Sequence, residues 1–504
     1  MIHTILPLIL FNTFLFVNPN LHPDPEVLLK YAETITVDDL YEYVSVLAAD
    51  SLEGRETGER GQKIAADYIK NHFIKNDLKA VVDTDDDISY FQKFNLVKSY
   101  WDEVYVKFNN NKYKNFDGII RYGKKEIPEE LSNKIVFVGN GTEKEVNAND
   151  VDGKAILFIS LEPYTWAKKV EYARSKGAQA FFVVNTASEE DFQNQADNLK
   201  HYLTEPKVGF SPQPSGESVV FYTSPTIAGK VFNTKYEKLK ELVKKEEKNN
   251  NPVYKLKPGN VAYKAQLKYE EVETENVLGF IEGGEKKDEI IVITAHYDHI
   301  GMSSEGEVFN GADDDASGTS AVMEIAQAFA LAKKDGFTPQ RSILFMTVTG
   351  EEKGLLGSQY YTNNPVFPLE NTVANLNIDM IGRMDQLYKD NPDYVYLIGS
   401  DKLSQELHDL SEEMNTTFTN LKLDYRYNDD RDPNRFYYRS DHYNFAKHNI
   451  PVIFYFNGTH EDYHQATDTI DKINFVKMEK ISRLVFYTAW ELANRPERIT
   501  LKTN

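Results

Sequence analysis

The chain has no cysteine among its 504 residues. That absence removes disulfides, thiolate zinc sites, Cys-ligated iron–sulfur clusters and a Cys nucleophile. A bound metal must therefore rely on His, Asp and Glu. Positive charge is also scarce: 57 Lys and Arg face 78 Asp and Glu, for a formal net charge of -21. So acidic a fold repels phosphate backbones, and no nucleic-acid partner is expected. Long apolar runs are missing too. The main candidate, Ile5–Val17, is interrupted by Asn12 and Thr13 and falls short of the roughly 20 residues a membrane span needs. It reads as the apolar core of a signal peptide over 1–19, with an uncleaved anchor as the alternative. The expectation is an exported protein, periplasmic or extracellular, without a stable membrane partner. No G-x-S-x-G elbow is present, which disfavours a serine hydrolase.

What remains is rich in core material. Hydrophobic residues make up 41 % and aromatics 12 %, enough for large cores. The length exceeds one ordinary domain. Residues 38–115 read as a first part. Helices are expected over Asp38–Leu47, capped by Asp38, and over Glu59–Phe73. Strands are expected over Tyr90–Val97 and Glu103–Phe108. From 116 to 258 the texture changes to short strands, KIVFVG, AILFIS and AQAFFVV, with a helix over Thr226–Val243 and the polar run KKEEKNNN. This block lacks a cluster of His and carboxylates and reads as an inserted domain. From 259 to 498 buried strands alternate with helices. A strand pair is expected over Gln266–Val272 and Glu275–Ile281. Further strands are expected over Glu289–Ala295, Ser342–Thr349, Val373–Ile378, Tyr394–Ile398 and Pro451–Phe456. Such alternation predicts an α/β fold, a mostly parallel sheet between two helical layers.

The stretch RSILFMTVTGEEKG shows where chemistry gathers. A buried strand runs into Gly350, and the adjacent Glu351 and Glu352 leave the strand pointing different ways. One can hold a metal while the other works on a water. Four other segments carry metal-competent residues at strand ends or helix starts. AHYDHIG offers His296 and Asp298. NGADDDASG offers Asp313, Asp314 and Asp315. NIDMIGR offers Asp379, and HEDYHQATDT offers His464 and Asp468. In open α/β sheets such ends converge on one edge. Two catalytic divalent ions need about three protein ligands each. Two His and three carboxylates suffice if one carboxylate bridges, and a further carboxylate is then left as base. Spacing alone does not say which Asp of the triplet bridges.

Together with LAADSLEGRETG, TGEEKGLLGS and SDHYNFA, these motifs resemble the co-catalytic zinc aminopeptidase family, metallopeptidase family 28. The 116–258 block, with VDGKAILFIS and KGAQAFFVV, resembles an inserted protease-associated (PA) domain. The resemblance implies a three-layer zinc-exopeptidase fold and two Zn2+ ions per chain, with Co2+ or Mn2+ as alternatives. It implies that His296 and Asp379 bind one ion and Glu352 and His464 the other. Asp314 would bridge them through a cis bond to Asp315. Glu351 would be the general base, Asp298 the partner that orients His296, and Tyr437 the oxyanion stabiliser. Peptides with a free N-terminus are the implied substrates. The rivals are a carboxypeptidase or dipeptidase on the same site, and a receptor-like homologue without catalysis. His299, His460 and His442 read as loop or structural residues, and Arg383 as a neutralising or substrate-facing cation or, equally, as one half of a plain salt bridge.

Overall fold

The computed structural model describes residues 25–502 except 86, 110, 124 and 212–217. The expected signal segment, 1–19, lies outside the described residues. The chain divides into two compact units, Met1–Asn95 with Glu273–Asn504, and Leu96–Val272. The expected insert, 116–258, falls inside the second unit, whose bounds are wider. Phe91–Phe108 and Gly259–Ile281 are each one continuous strand, where the sequence suggested two. The polar residues that break their alternation do not break the backbone, because inter-strand pairing continues past them.

The first unit is built on seven strands: the 273–281 end of β1 (Gly259–Ile281), β2 (Lys286–His296), β3 (Arg341–Val348), β4 (Thr372–Ile378), β5 (Tyr394–Ile398), β6 (Lys422–Asp424) and β7 (Val452–Phe456). Their order is β6-β5-β7-β4-β2-β3-β1. The central four, β3, β2, β4 and β7, are parallel. At the edges β1 and β5 run antiparallel to their inner neighbours. The parallel strands are buried on both faces, which explains why they read as unbroken apolar runs. Ile291, Ile293 and Ala295 face one core and Ile290 and Val292 the other.

The first core is covered by helices α1 (Val37–Leu47), α2 (Arg60–Lys75), α3 (Gly318–Lys334) and α4 (Phe475–Asn494). The opposite face packs Tyr361 and Phe445 from two short helices. The result is a three-layer mixed α/β unit. Thr36, not Asp38, caps α1: its backbone is extended and its hydroxyl accepts from the Asp39 N–H at 3.1 Å. The second unit has its own parallel strands, Ile127–Phe137, Ala155–Ile159, Ala180–Val184 and Val219–Thr223, and its own cores. The helix expected over 226–243 is two helices, Pro225–Val231 and Tyr236–Lys248, separated by a turn with Asn233 at φ 54°. Among the described residues no helix is long and apolar enough to cross a membrane.

One buried carboxylate in this fold is poorly partnered. Glu324, on the buried face of α3, receives the Thr36 N–H on Oε2 at 3.4 Å and has the Tyr43 hydroxyl nearby, while its Oε1 has no aligned partner among the described residues. Burial, then the nearby charge of Asp39, push its carboxyl up to about 8 from 4.5. Folding therefore favours the protonated form. The stability it contributes is complete below pH 4.5 and is lost as pH rises through 8. Glu324→Gln should match wild type in thermal unfolding at acid pH and exceed it at pH above about 8. A variant less stable than wild type under alkaline conditions would contradict this.

Candidate metal centre

Parallel register brings the C-terminal ends of β2, β3 and β4 to one edge of the sheet. β2 ends on His296, and β4 is followed by Asp379. After β3 the chain turns at Gly350, whose φ of 70° is in the left-handed region that glycine adopts without steric cost. Glu351 and Glu352 follow directly. The fourth contribution is the wound turn Ala312–Ser317 ahead of α3, in which the Asp314–Asp315 bond is cis.

Asp314 sits between two histidines. One of its carboxylate oxygens lies 3.2 Å from His296 Nε2 and the other 3.1 Å from His464 Nε2. Asp379 Oδ1 is 3.6 Å from His296 Nε2, and Glu352 Oε2 is 3.1 Å from His464 Nε2. Two groups of potential ligands therefore share one carboxylate. Glu351 is adjacent, with Oε2 4.0 Å from His296 Nε2.

Asp315 points elsewhere. Its carboxylate accepts from the backbone N–H of His296 (3.2 Å), Gly318 (2.9 Å) and Met380 (3.0 Å). Asp315 lies close to His296 and Asp379, but those three bonds already occupy its carboxylate, whereas both oxygens of Asp314 face histidine nitrogens. Asp313 turns away as well, taking the Gly382 N–H at 2.6 Å and facing His460 Nε2 at 3.2 Å. The Asp468 carboxylate accepts from the N–H groups of Asp313 and Asp314. Arg383 pairs with Asp462 at 2.8 Å.

Asp379 is aimed by a buried polar ladder. Thr294 Oγ1 donates to Asn377 Oδ1 (2.6 Å), Asn377 Nδ2 donates to Ser440 Oγ (2.8 Å), and Ser440 Oγ donates to Asp379 Oδ2 (2.6 Å). His296 Nδ1 lies 3.1 Å from the backbone carbonyl of Asp298 and 3.8 Å from its carboxylate. The carbonyl, not the side chain, is thus the closer orienting group. The Asp298 carboxylate instead accepts from Thr57 Oγ1 at 2.7 Å and from the Glu351 N–H at 3.2 Å.

The centre is suited to a metal ion. His299 Nδ1 and Nε2, His464 Nε2 and Glu352 Oε1 are all shielded from solvent without an aligned hydrogen bond, though His299 Nδ1 is only 2.7 Å from Glu352 Oε1. Buried polar atoms of this kind require a partner, and a divalent ion among N and O donors supplies one. Burial disfavours a charged His464, yet Asp314 and Glu352 outweigh it and lift the imidazole to about 10. Burial pushes the Glu351 carboxyl well up; His296 opposes this, and Glu352, Asp379 and Asp441 reinforce it. His299, read from sequence as a loop residue, belongs to the Glu352 group by position.

The tyrosines divide differently from the sequence reading. Tyr437 packs against Tyr438, His442 and Tyr443, with Lys402 over its ring, and does not line the pocket over the metal-competent residues. Tyr463 lines the pocket over the metal-competent residues, with Phe436, Phe454, Phe456, Met380 and Arg439. Its ring stacks on His464 at 3.9 Å. Burial, then the charges of Asp314, Glu352 and Glu351, push its phenol up. The signal for it was adjacency, since Tyr463 immediately precedes His464. Asp315→Ala would leave three buried N–H groups unpaired, and should cost about 3 kcal/mol or more. Denaturant unfolding in metal-free buffer measures this; a loss under about 0.5 kcal/mol, as for an ordinary surface change, would refute the role given to Asp315.

Similarity to known proteins agrees with this geometry. Residues 276–489 match Peptidase family M28. A probable leucine aminopeptidase of Arthroderma otae is 32 % identical over 214 residues, covering 41 % of this chain and 55 % of its own. Aminopeptidase YwaD of Bacillus subtilis is 26 % identical over 254 residues, 50 % of this chain and 44 % of its own. This chain thus spans about half the length of the curated relatives it matches. In structure, the aminopeptidase from Aneurinibacillus sp. strain AM-1 aligns over 95 % of this chain and 98 % of its own, with a TM-score of 0.55 at 18 % identity. The three-layer fold is shared, and residues 276–489, the stretch that matches Peptidase family M28, carry His296, Asp314, Glu351, Glu352, Asp379 and His464.

Proposed function

We propose that the chain is a two-zinc aminopeptidase. The observation that carries this reading is the Asp314 carboxylate, shared between His296 with Asp379 on one side and His464 with Glu352 on the other. His296, Asp379 and Asp314 would hold one zinc ion, and Glu352, His464 and Asp314 the second. His299 would back Glu352. Bound there, the ions would lower the pKa of a water and polarise the scissile carbonyl.

The chain's own groups divide the remaining work. Glu351, buried beside the centre, takes the proton of the attacking water and returns it to the leaving amine. Tyr463, on the pocket wall, donates its O–H to the oxyanion that develops. The carboxylates of the centre attract a free α-ammonium group, which favours action at an N-terminus. Phe436, Phe454, Phe456 and Met380 offer an apolar wall to the side chain that follows. The 96–272 unit is proposed to be the protease-associated insert.

Purified protein should contain two zinc ions and release amino acids from N-terminal amide substrates; thorough chelation should abolish that release. Activity indifferent to chelation would sink the hydrolase reading. Free peptides should be cleaved and N-acetylated ones spared; the reverse preference would support the carboxypeptidase rival. Glu351→Gln should keep zinc and lose about 10²–10⁴ in turnover. Tyr463→Phe should lose about 10²–10³ in kcat, whereas Tyr437→Phe should stay close to wild type. A larger loss for Tyr437→Phe would return the oxyanion role to Tyr437.

A further inference from the structure

The LEGRETG stretch has no part in the chemistry just described, yet it lies directly behind the centre. Gly54 and Arg55 form a short strap over the loop after β2. The His299 N–H donates to Arg55 O at 3.1 Å, and the Gly301 N–H to Gly54 O at 3.0 Å. The approach is so close that a Cβ on Gly54 would fall 2.1 Å from Gly301 O.

Arg55 is almost completely buried, at 1 % exposure. Among the described residues no carboxylate pairs with it. Its guanidinium spends its donors on carbonyls instead. Nε donates to Tyr297 O (2.8 Å), one terminal nitrogen to Leu47 O (2.5 Å) and Asn310 O (2.7 Å), and the other to Gly311 O (3.0 Å) and Asp314 O (3.5 Å). Tyr297 separates His296 from Asp298, and Asp314 carries the shared carboxylate. One planar fork thus fixes the backbone on both sides of the first metal position, a task to which an ammonium is not suited. Two residues on, Thr57 Oγ1 donates to Asp298 Oδ2, while Asp298 Oδ1 receives the Glu351 N–H. The strap therefore reaches the ligands through Arg55 and the base through Thr57.

We propose that Gly54–Thr57 is a positioning strap for the metal centre, with Arg55 setting zinc affinity and Thr57 setting the placement of Glu351. The proposal rests on the two-zinc reading. Neither residue touches metal or substrate, so both act through others.

The test is zinc titration of the full chain after chelation, by competition with a coloured chelator, alongside thermal unfolding with and without zinc. Wild type must take up zinc; if it does not, the two-zinc reading itself fails. Given uptake, Arg55→Lys and Arg55→Met should each weaken zinc binding about 10–100-fold, and the rise in Tm on adding zinc should shrink accordingly. Thr57→Val should keep both ions and lower kcat about tenfold with KM unchanged. If Arg55→Met does not fold, Arg55→Lys and Thr57→Val still decide. Unchanged zinc affinity in the Arg55 variants, with Tm falling equally in apo and zinc-loaded protein, would mean mere scaffolding and overturn the proposal. Full recovery of affinity by Arg55→Lys would overturn the claim that the fork is what matters.

Discussion

The Asp315 carboxylate is the knot of the first unit. It accepts one N–H from the end of β2, one from the start of α3 and one from the segment after β4. These segments lie far apart in sequence and carry the residues that face the centre. Without that carboxylate three buried donors would compete for other partners, and the strand ends would lose a common reference point. The place of Asp314 between His296 and His464 follows from it, since Asp314 is the neighbour of a residue held in three directions. The Asp468 side chain completes the arrangement by taking the N–H groups of Asp313 and Asp314 from the opposite side.

Around this knot two polar relays carry the geometry outward. The Thr294–Asn377–Ser440–Asp379 ladder runs through the sheet interior and ends on a carboxylate oxygen facing away from His296. Asp298 connects the strap behind β2 to the backbone of Glu351. Among the buried atoms without aligned partners, those of His299, His464 and Glu352 are grouped. They lie together, which is the arrangement that a metal-holding site would require.

Much of this was legible in the sequence, because parallel strands leave a strong signature. Unbroken apolar runs such as ILFMTV and IIVITA could be placed as strands, and their ends located His296, Asp379, Glu351 and Glu352. Which Asp of the triplet lies between the two histidines was not legible from spacing: three adjacent carboxylates look alike until their backbone partners are known, and only family resemblance singled out Asp314. Other features were hidden for other reasons. The α1 cap went to Thr36 because its extended backbone, not its residue type alone, decided the matter. The long strands β1 and Phe91–Phe108 were divided because alternation was broken by polar residues whose backbone still pairs. Tyr463 was passed over although it stands beside His464, since its ring direction depends on a turn in which His464 has φ 56°.

The shared carboxylate also bears on how the centre would fill. On the two-ion reading, Asp314 cannot lend its full charge to both halves at once. The first ion to arrive would leave a weaker and less negative set of donors for the second. Loading would then proceed in two unequal steps, each half sensing the occupancy of the other. Protein given one equivalent of metal would be a defined half-filled species, rather than a mixture of full and empty molecules.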